Sequence, residues 1–304
     1  MTTPAVPAWD AGDFGELIAM DALGPMRFRT RCGDANEHGR SYGGQILAQA
    51  LMAAARTVPP GDDVQRARLP SMKQFLFLQG TLHAQAIDLT VTTLQDGKRF
   101  SSRHVRGMQG DGRAVLDAQV TFAQTMPAPA HDAPPPFPAD EDPERLPSLS
   151  DLPSAWGATI QRAGGYTLMT KPGIDFRIAA VPERLLLDAR EPRLRSWVRL
   201  RARVGDAAAD HAAALAYLSD WWVNYPALGA HLDGLSDGPG LYVASLNHSI
   251  WWHRRPRADQ WLHVESVSPA AGAGRGFNVA RLHDRAGQLV ASVTQECLMA
   301  PRQG

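Results

Sequence analysis

The 304-residue chain has only two cysteines, no excess of either charge and no long apolar run. Cys32 and Cys297 stand apart, with no CxxC and no Cys/His ligand spacing, so the sequence announces neither a disulfide framework nor a metal site. Lys+Arg and Asp+Glu both total 31, which leaves no basic field to draw nucleic acid or an anionic membrane surface. No stretch approaches the roughly 20 apolar residues that span a bilayer. The opening MTTPAVPAWDAGDF lacks the basic-then-apolar order of a secretory signal. These absences point to a reduced, cytoplasmic protein with no nucleic-acid and no membrane partner. Cys297 lies in an alternating run, where cysteine reads as a small buried hydrophobe rather than a reactive thiol.

Proline is present in quantity and placed unevenly. Nine of the 23 prolines fall within residues 126–153, with acidic residues between them, the composition of an extended linker rather than a packed element. The chain therefore divides into residues 1–126, a Pro-rich linker at 127–157, and residues 158–304, and each flanking part is the size of one domain. In the first, SYGGQILAQALMAAARTVPPGD reads as a helix entered through Gly43-Gly44 and ended by Pro59-Pro60-Gly61. From Ile46 to Ala55 it is apolar or small on nearly every side, a pattern suited to a helix wrapped all round by a sheet. Strand-like runs follow in SMKQFLFLQG, HAQAIDLTVTTLQDG, FSSRHVRGM and AVLDAQVTFAQ. The second part repeats the order. GIDFRIA and RSWVRLRARV precede a second apolar helix, HAAALAYLSDWWVN, and LYVASLNHSIWWH, LHVESVSPAAG, GFNVARLHD and LVASVTQECLM follow as strands. One buried helix leading a run of antiparallel strands, done twice, is an α+β plan.

Two stretches carry the repeat most clearly. Phe100 opens FSSRHVRGMQGDGRAVLDAQVTFAQ and Phe277 opens FNVARLHDRAGQLVASVTQECLM, each a strand, a Gly-containing turn and a second strand. Laid together on their second strands, LDAQVTFA meets LVASVTQE, so Phe122 of the first copy falls opposite Gln295 of the second.

Among residues able to do chemistry, Asp220 stands out in LAYLSDWWV. A carboxylate on a helix with so few polar neighbours costs free energy unless it is paired or used; the bland reading is a helix-end Asp turned to solvent or capping a loop. Gln295, two residues beyond Val293, faces the same side by strand alternation. If that side is the core, its amide needs partners. Ser245 lies in VASLNHSIWWHRRP without a GxSxG elbow, so a hydrogen-bonding hydroxyl suits it better than a nucleophile. His248 and His253, five apart, fall on opposite faces of a strand, which argues against a shared metal. Asp34 and His38 in GDANEHG loosely suggest the acid/base pair of enoyl-CoA hydratases of the hotdog fold, although Asp, Asn and Gly in a row also make a plain turn. Arg254, Arg255, Arg257 and Arg275 can grip phosphate through charge-assisted bonds, or can be ordinary surface arginines.

Taken in order, YGGQILAQAL, LQDGKRFSSRHV, YLSDWW, HSIWWHRRP, GRGF and VTQE resemble the bacterial acyl-CoA thioesterase II (TesB-type) family over residues 41–299. The resemblance implies a double hotdog, two domains each built of a long helix wrapped by an antiparallel sheet. It also implies hydrolysis of acyl-CoA to free acid and CoA without a cofactor. The family's Asp and Gln fall on Asp220 and Gln295, and Ser245 takes the place of its Thr; together they hold the attacking water. Gly43, Gly44, Gln45, Lys73, Arg254 and Arg275 are the candidates for substrate contact. The chain departs from the family at SMKQFLFLQG, where a His and an RPG turn are usual, which bears on substrate preference. A hotdog protein that binds acyl-CoA with little or no turnover is the alternative, and an enoyl-CoA hydratase the third. The fused pair already supplies the two-domain unit that single-hotdog proteins make by dimerising, and a homo-oligomer, dimer or tetramer, is compatible with it.

Overall fold

The computed structural model describes residues 4–36, 38–59, 67–110, 112–164, 168, 170–179, 183–235 and 240–302. The chain opens with a short helix α1 (Phe14–Leu17) and a hairpin of β1 (Met20–Gly24) and β2 (Arg27–Thr30). Helix α2 (Gly43–Ala55) follows, then β3 (Leu69–Phe77), β4 (Asp88–Asp96), β5 (Phe100–Gln109) and β6 (Arg113–Ala123). The second half runs α3 (Ser154–Gly164), β7 (Ile174–Ile178), β8 (Arg193–Leu200), α4 (Ala208–Leu218), α5 (Tyr225–Gly229) and α6 (Leu232–Leu235). It ends with β9 (Leu241–Trp252), β10 (Leu262–Gly272), β11 (Arg275–Asp284) and β12 (Leu289–Pro301). Helix α2 stops at Ala55, ahead of the prolines; of the expected stop signal, Pro60 and Gly61 lie outside the described residues.

All twelve strands join one sheet, in the order β1-β2-β4-β5-β6-β3-β9-β12-β11-β10-β8-β7. Helices α2 and α4 pack against one another. Every residue from Gly44 to Ala54 of α2 and from His211 to Leu218 of α4 is buried, as sequences apolar all round require. Two helices, each wrapped by its share of an antiparallel sheet, make this the α+β double hotdog. The polar residues of α2 are satisfied inside: the Gln49 amide donates to the Leu17 and Cys32 carbonyls at 2.8 and 3.1 Å.

The repeat is written into the register. Phe100 pairs with Ala123 in the first hairpin and Phe277 with Glu296 in the second, the same two positions of the two copies. Burial alternates alike on the closing strands, with Val120 and Phe122 inward in β6 and Val293 and Gln295 inward in β12. The halves meet where β3 pairs with β9. Lys73 pairs with Ile250 there, and each of the two lies opposite its own copy's core valine, Val120 or Val293. Lys73 and Ile250 are thus equivalent positions of the two copies, and a pseudo-two-fold axis passes between them.

The proline-rich stretch runs extended, as its composition indicates, but it is docked rather than free. Phe137 packs on Trp197 and His263 with ring centroids 4.8 and 4.6 Å apart. The indole N–H groups of Trp197 and Trp261 donate to Glu141 and Glu144 at 2.7 and 2.9 Å, and Arg254 pairs with Asp132. Its acidic residues therefore act as acceptors for the second half of the chain, and α3 begins at Ser154, inside the expected linker.

Candidate active site

Helix α4 ends at Leu218, two residues before Asp220, so the carboxylate lies in the turn after the helix and not on it. No Gly or Pro makes this break. The Ser219 hydroxyl bonds back to the Ala216 carbonyl at 2.9 Å, a side-chain bond that competes with the helix. Trp222 then takes a left-handed conformation, φ 58°, costly for so bulky a residue and tolerated where packing over-determines it. Its ring stacks on Tyr225 at 4.7 Å and packs on Phe176 at 5.7 Å.

The turn delivers Asp220 to the junction of both halves. Gln295 Nε2, from β12, donates to Asp220 Oδ1 at 2.8 Å and to Ser245 Oγ, on β9, at 2.7 Å. The Gly44 N–H, in the first turn of α2, adds a bond to the same carboxylate, where the positive end of the helix dipole favours an anion. Burial pushes the Asp220 carboxyl up to about 6, against the downward pull of Gln295, the Gly44 N–H, Lys73 and Ser245. Asp220 and Ser245 line a cavity of about 750 Å³. Ile46, Phe77, Trp221 and Val243 supply apolar wall, and Gly43, Leu78, Gln79 and Gly80 lie along it. Gln295 is wholly buried behind the two, and its Oε1 has no protein partner among the described residues.

Sequence reasoning thus finds Asp220, Ser245 and Gln295, and the structure brings them together. It does not bring all the others. Gln45 points into the core, its Oε1 accepting from the Asp34 N–H at 2.6 Å and its amide facing Gln49. Lys73 is fully buried at the pseudo-two-fold axis, donating to the Leu47 carbonyl at 3.0 Å, and does not line the cavity. Burial holds its ammonium well below the ordinary lysine range, opposed by Asp220. Arg254 is taken by Asp132 and Arg275 by Glu296; Arg255 donates to the Asp206 carbonyl and Arg257 to Asp259. None of the four lines the cavity, because each is spent on an acceptor near its own turn. Asp34 is likewise spent: Lys171 Nζ and the Tyr217 hydroxyl donate to its two oxygens, both at 2.8 Å, and only His38 of the supposed hydratase pair reaches the cavity. Glu37 of GDANEHG lies outside the described residues. Cys32 and Cys297 are buried, and burial pushes both thiols up to about 11.

The sequence reading missed Asn224 and Asn278. Asn224 Nδ2 donates to Ser245 Oγ at 3.2 Å, Asn278 Nδ2 donates to Asn224 Oδ1 at 3.2 Å, and the Ala227 N–H donates to Asn278 Oδ1 at 3.2 Å. One signal was available for Asn278: it pairs with Gln295 across the hairpin, where the first copy pairs Ser101 with Phe122. Both members of that pair differ between copies. Arg40, exposed at the cavity, was missed as well.

The half-buried Asp220 carboxylate, tied through one amide to the Ser245 hydroxyl, thus lines a cavity between the first turn of α2 and the turn after α4. The class is a double-hotdog hydrolase. The chain belongs to the acyl-CoA thioesterase family, a family of thioester hydrolases: residues 33–123 match the model of the acyl-CoA thioesterase N-terminal domain, and residues 129–299 that of the C-terminal domain. It is 32% identical over 268 residues to acyl-coenzyme A thioesterase 8 of Mus musculus, covering 84% of this chain and 79% of that protein. It is 27% identical to acyl-CoA thioesterase 2 of Haemophilus influenzae, covering 93% and 95%. The crystal structure of an acyl-CoA thioesterase II, TesB2, from Mycobacterium marinum superposes with a TM-score of 0.74 at 28% identity, covering 96% of this chain and 99% of that one. Among the described residues no helix is long and apolar enough to cross a membrane.

Proposed function

We propose that the protein hydrolyses acyl-CoA to free acid and CoA, with a water activated by Asp220 and oriented by Ser245 and Gln295. The observation that carries this reading is the Gln295 amide bridging Asp220 and Ser245 at 2.8 and 2.7 Å. Asp220 takes a proton from the water as its oxygen attacks the thioester carbonyl. The C–S bond then breaks, and the thiolate leaves as CoA thiol once protonated. A base held near pH 6 suits this work, being ionised at neutral pH yet still basic. Gln295, buried behind Asp220 and Ser245, acts on that water through the two groups it bridges. Residues 1–126 and 158–304 are read as the two hotdog units and 127–157 as the strap between them, with one catalytic centre per chain. The test is CoA release, followed with a thiol reagent, across acyl-CoAs of graded length. Steady release from at least one of them is expected. Tight acyl-CoA binding with no release at any length would instead make this a binding protein.

The substrate's phosphates also need a partner at the mouth. Lys171 is neutralised by Asp34, whereas the Arg40 guanidinium has no carboxylate partner among the described residues. Arg40→Ala is therefore expected to raise KM for acyl-CoA by roughly tenfold, the scale of one charge-assisted bond. The corresponding acyl-N-acetylcysteamine, which carries the thioester without the nucleotide, should show an unchanged KM. Equal effects on both substrates would remove Arg40 from phosphate recognition.

A further inference from the structure

The amides around Ser245 have a determined polarity. The Ala227 backbone N–H can only donate, so the Asn278 atom that faces it at 3.2 Å is the carbonyl oxygen. The other end of Asn278 is then its NH2, which donates to Asn224 Oδ1. Asn224 in turn presents its own NH2 to Ser245 Oγ. On its other side the same oxygen receives Gln295 Nε2, since the ionised Asp220 that shares this amide can only accept. A serine oxygen has two lone pairs. Both are filled, and the hydroxyl proton is all that Ser245 has left to give; the Asp220 carboxylate, held at 2.8 Å from the same Gln295 nitrogen that lies 2.7 Å from Ser245 Oγ, is the neighbouring acceptor.

We infer that Asn278 is a positioning residue, which acts through Asn224 to direct the Ser245 hydroxyl proton onto Asp220. This rests on the reading of Asp220 as the base. Asn278 itself is wholly buried and does not line the cavity, so it reaches the reaction only along this chain of bonds. The polarity starts from a backbone N–H and cannot reverse without leaving a buried group unpaired, which is costly. A serine turns its hydroxyl among three staggered positions, and two converging amides select one of them. The consequence is a carboxylate that receives Gln295, Gly44 and Ser245 together and keeps its remaining acceptor capacity for water.

The other charged group that bears on Asp220 is Lys73, from β3; His248, from β9, faces Lys73 and Ser219 instead. His248 is buried and bonded through Nε2 to the Ser219 hydroxyl at 3.0 Å, and burial holds its imidazole well below the ordinary range. On the α4 side, Tyr217 is occupied by Asp34, whose second partner is Lys171. None of these side chains bonds to Asn278, so its effect is separable from theirs.

The experiment uses the full-length chain, with Asn278→Ala and the milder Asn278→Ser (the first copy's own residue at this position), each made in the wild-type and the Ser245→Ala backgrounds. Asp220 is titrated by carbon-13 NMR of its carboxyl without substrate, and kcat and KM for acyl-CoA are measured in parallel. In the wild-type background both variants should move the Asp220 titration to higher pH and lower kcat about tenfold, with KM changed less than about twofold, the signature of one lost bond to the base. In the Ser245→Ala background neither should move the titration further. An unmoved titration in the wild-type background overturns the inference, and so does an equal shift in both backgrounds. Failure of the wild type to release CoA from any acyl-CoA would remove the proposed activity instead, since the titration needs no turnover.

Discussion

Replacing Asp220 by asparagine is expected to lower acyl-CoA turnover by about 10²–10⁴, the range of a general base, without lowering stability at neutral pH. The two halves of this outcome come from one cause. The carboxyl has a folded pKa of about 6 against an ordinary value of 3.8. Between those values the folded state holds a proton that the unfolded chain has already released. Stability therefore falls as pH rises from about 4 to 6, and above that the penalty is complete. A shift of about 2 units corresponds to roughly 3 kcal/mol at most. Asparagine cannot ionise, so the variant should lack this slope, although it also gives up part of the bonding to Gln295 and Gly44. Urea unfolding at pH 4, 5, 6 and 8 reads the slope, and kcat/KM of the wild type should climb through about pH 6 to a plateau. A variant that loses activity and stability together at pH 8 would mark Asp220 as a structural residue.

The frame of the molecule was legible because it rests on patterns that local chemistry imposes. A helix apolar on every side has to be enclosed, and both α2 and α4 are. The two hairpins were legible as copies, and with them the oddity of Gln295 where Phe122 should be. The departures have equally local reasons. The apolar pattern of LAYLSDWWV runs past the end of α4, so nothing in it shows that Ser219 bonds back to Ala216 and that Trp222 turns left-handed. Strands β1 and β2 are short and half-polar at an edge of the sheet, with too few residues for alternation to be read. The arginines were chosen by charge alone, and what decides their availability is an acceptor that pairing or the strap brings close: Glu296 for Arg275, Asp132 for Arg254. Asn224 and Asn278 become neighbours only through the pairing of β11 with β12 and the turn after α4. The most consequential feature hidden from the sequence is the joint itself. Pairing of β3 with β9 and packing of α2 on α4 set the N-terminus of one copy's helix against the carboxylate of the other.

That joint is what two adjacent glycines test. A methyl group at Gly43 would overlap Asp220 Oδ2 and come within 3.2 Å of Phe77 Cε1, whereas one at Gly44 would overlap the Tyr217 carbonyl oxygen and sit 2.9 Å from Tyr42 Cζ. The obstacle differs in kind. At Gly43 it is the end of a side chain, which can swing aside. At Gly44 it is backbone at the end of α4, fixed by the helix and by the Tyr42 hydroxyl that donates to the same oxygen at 2.9 Å. Alanine at position 43 should therefore leave the fold intact, helped slightly by its helix propensity, while displacing the carboxylate from the place at which we propose it activates water. A displacement near 1 Å costs about 10²-fold in rate. Alanine at position 44 should force α2 away from α4, with an overpacking cost of about 1–3 kcal/mol that exceeds any propensity gain, and should lose activity as well, since the Gly44 N–H leaves Asp220. Thermal melts and kcat/KM on the two variants separate the cases: activity lost with the melting temperature kept for Gly43→Ala, both lost for Gly44→Ala. Wild-type turnover in Gly43→Ala would show that the position of Asp220 against α2 does not matter to the reaction. The base would then have to be sought elsewhere along the cavity.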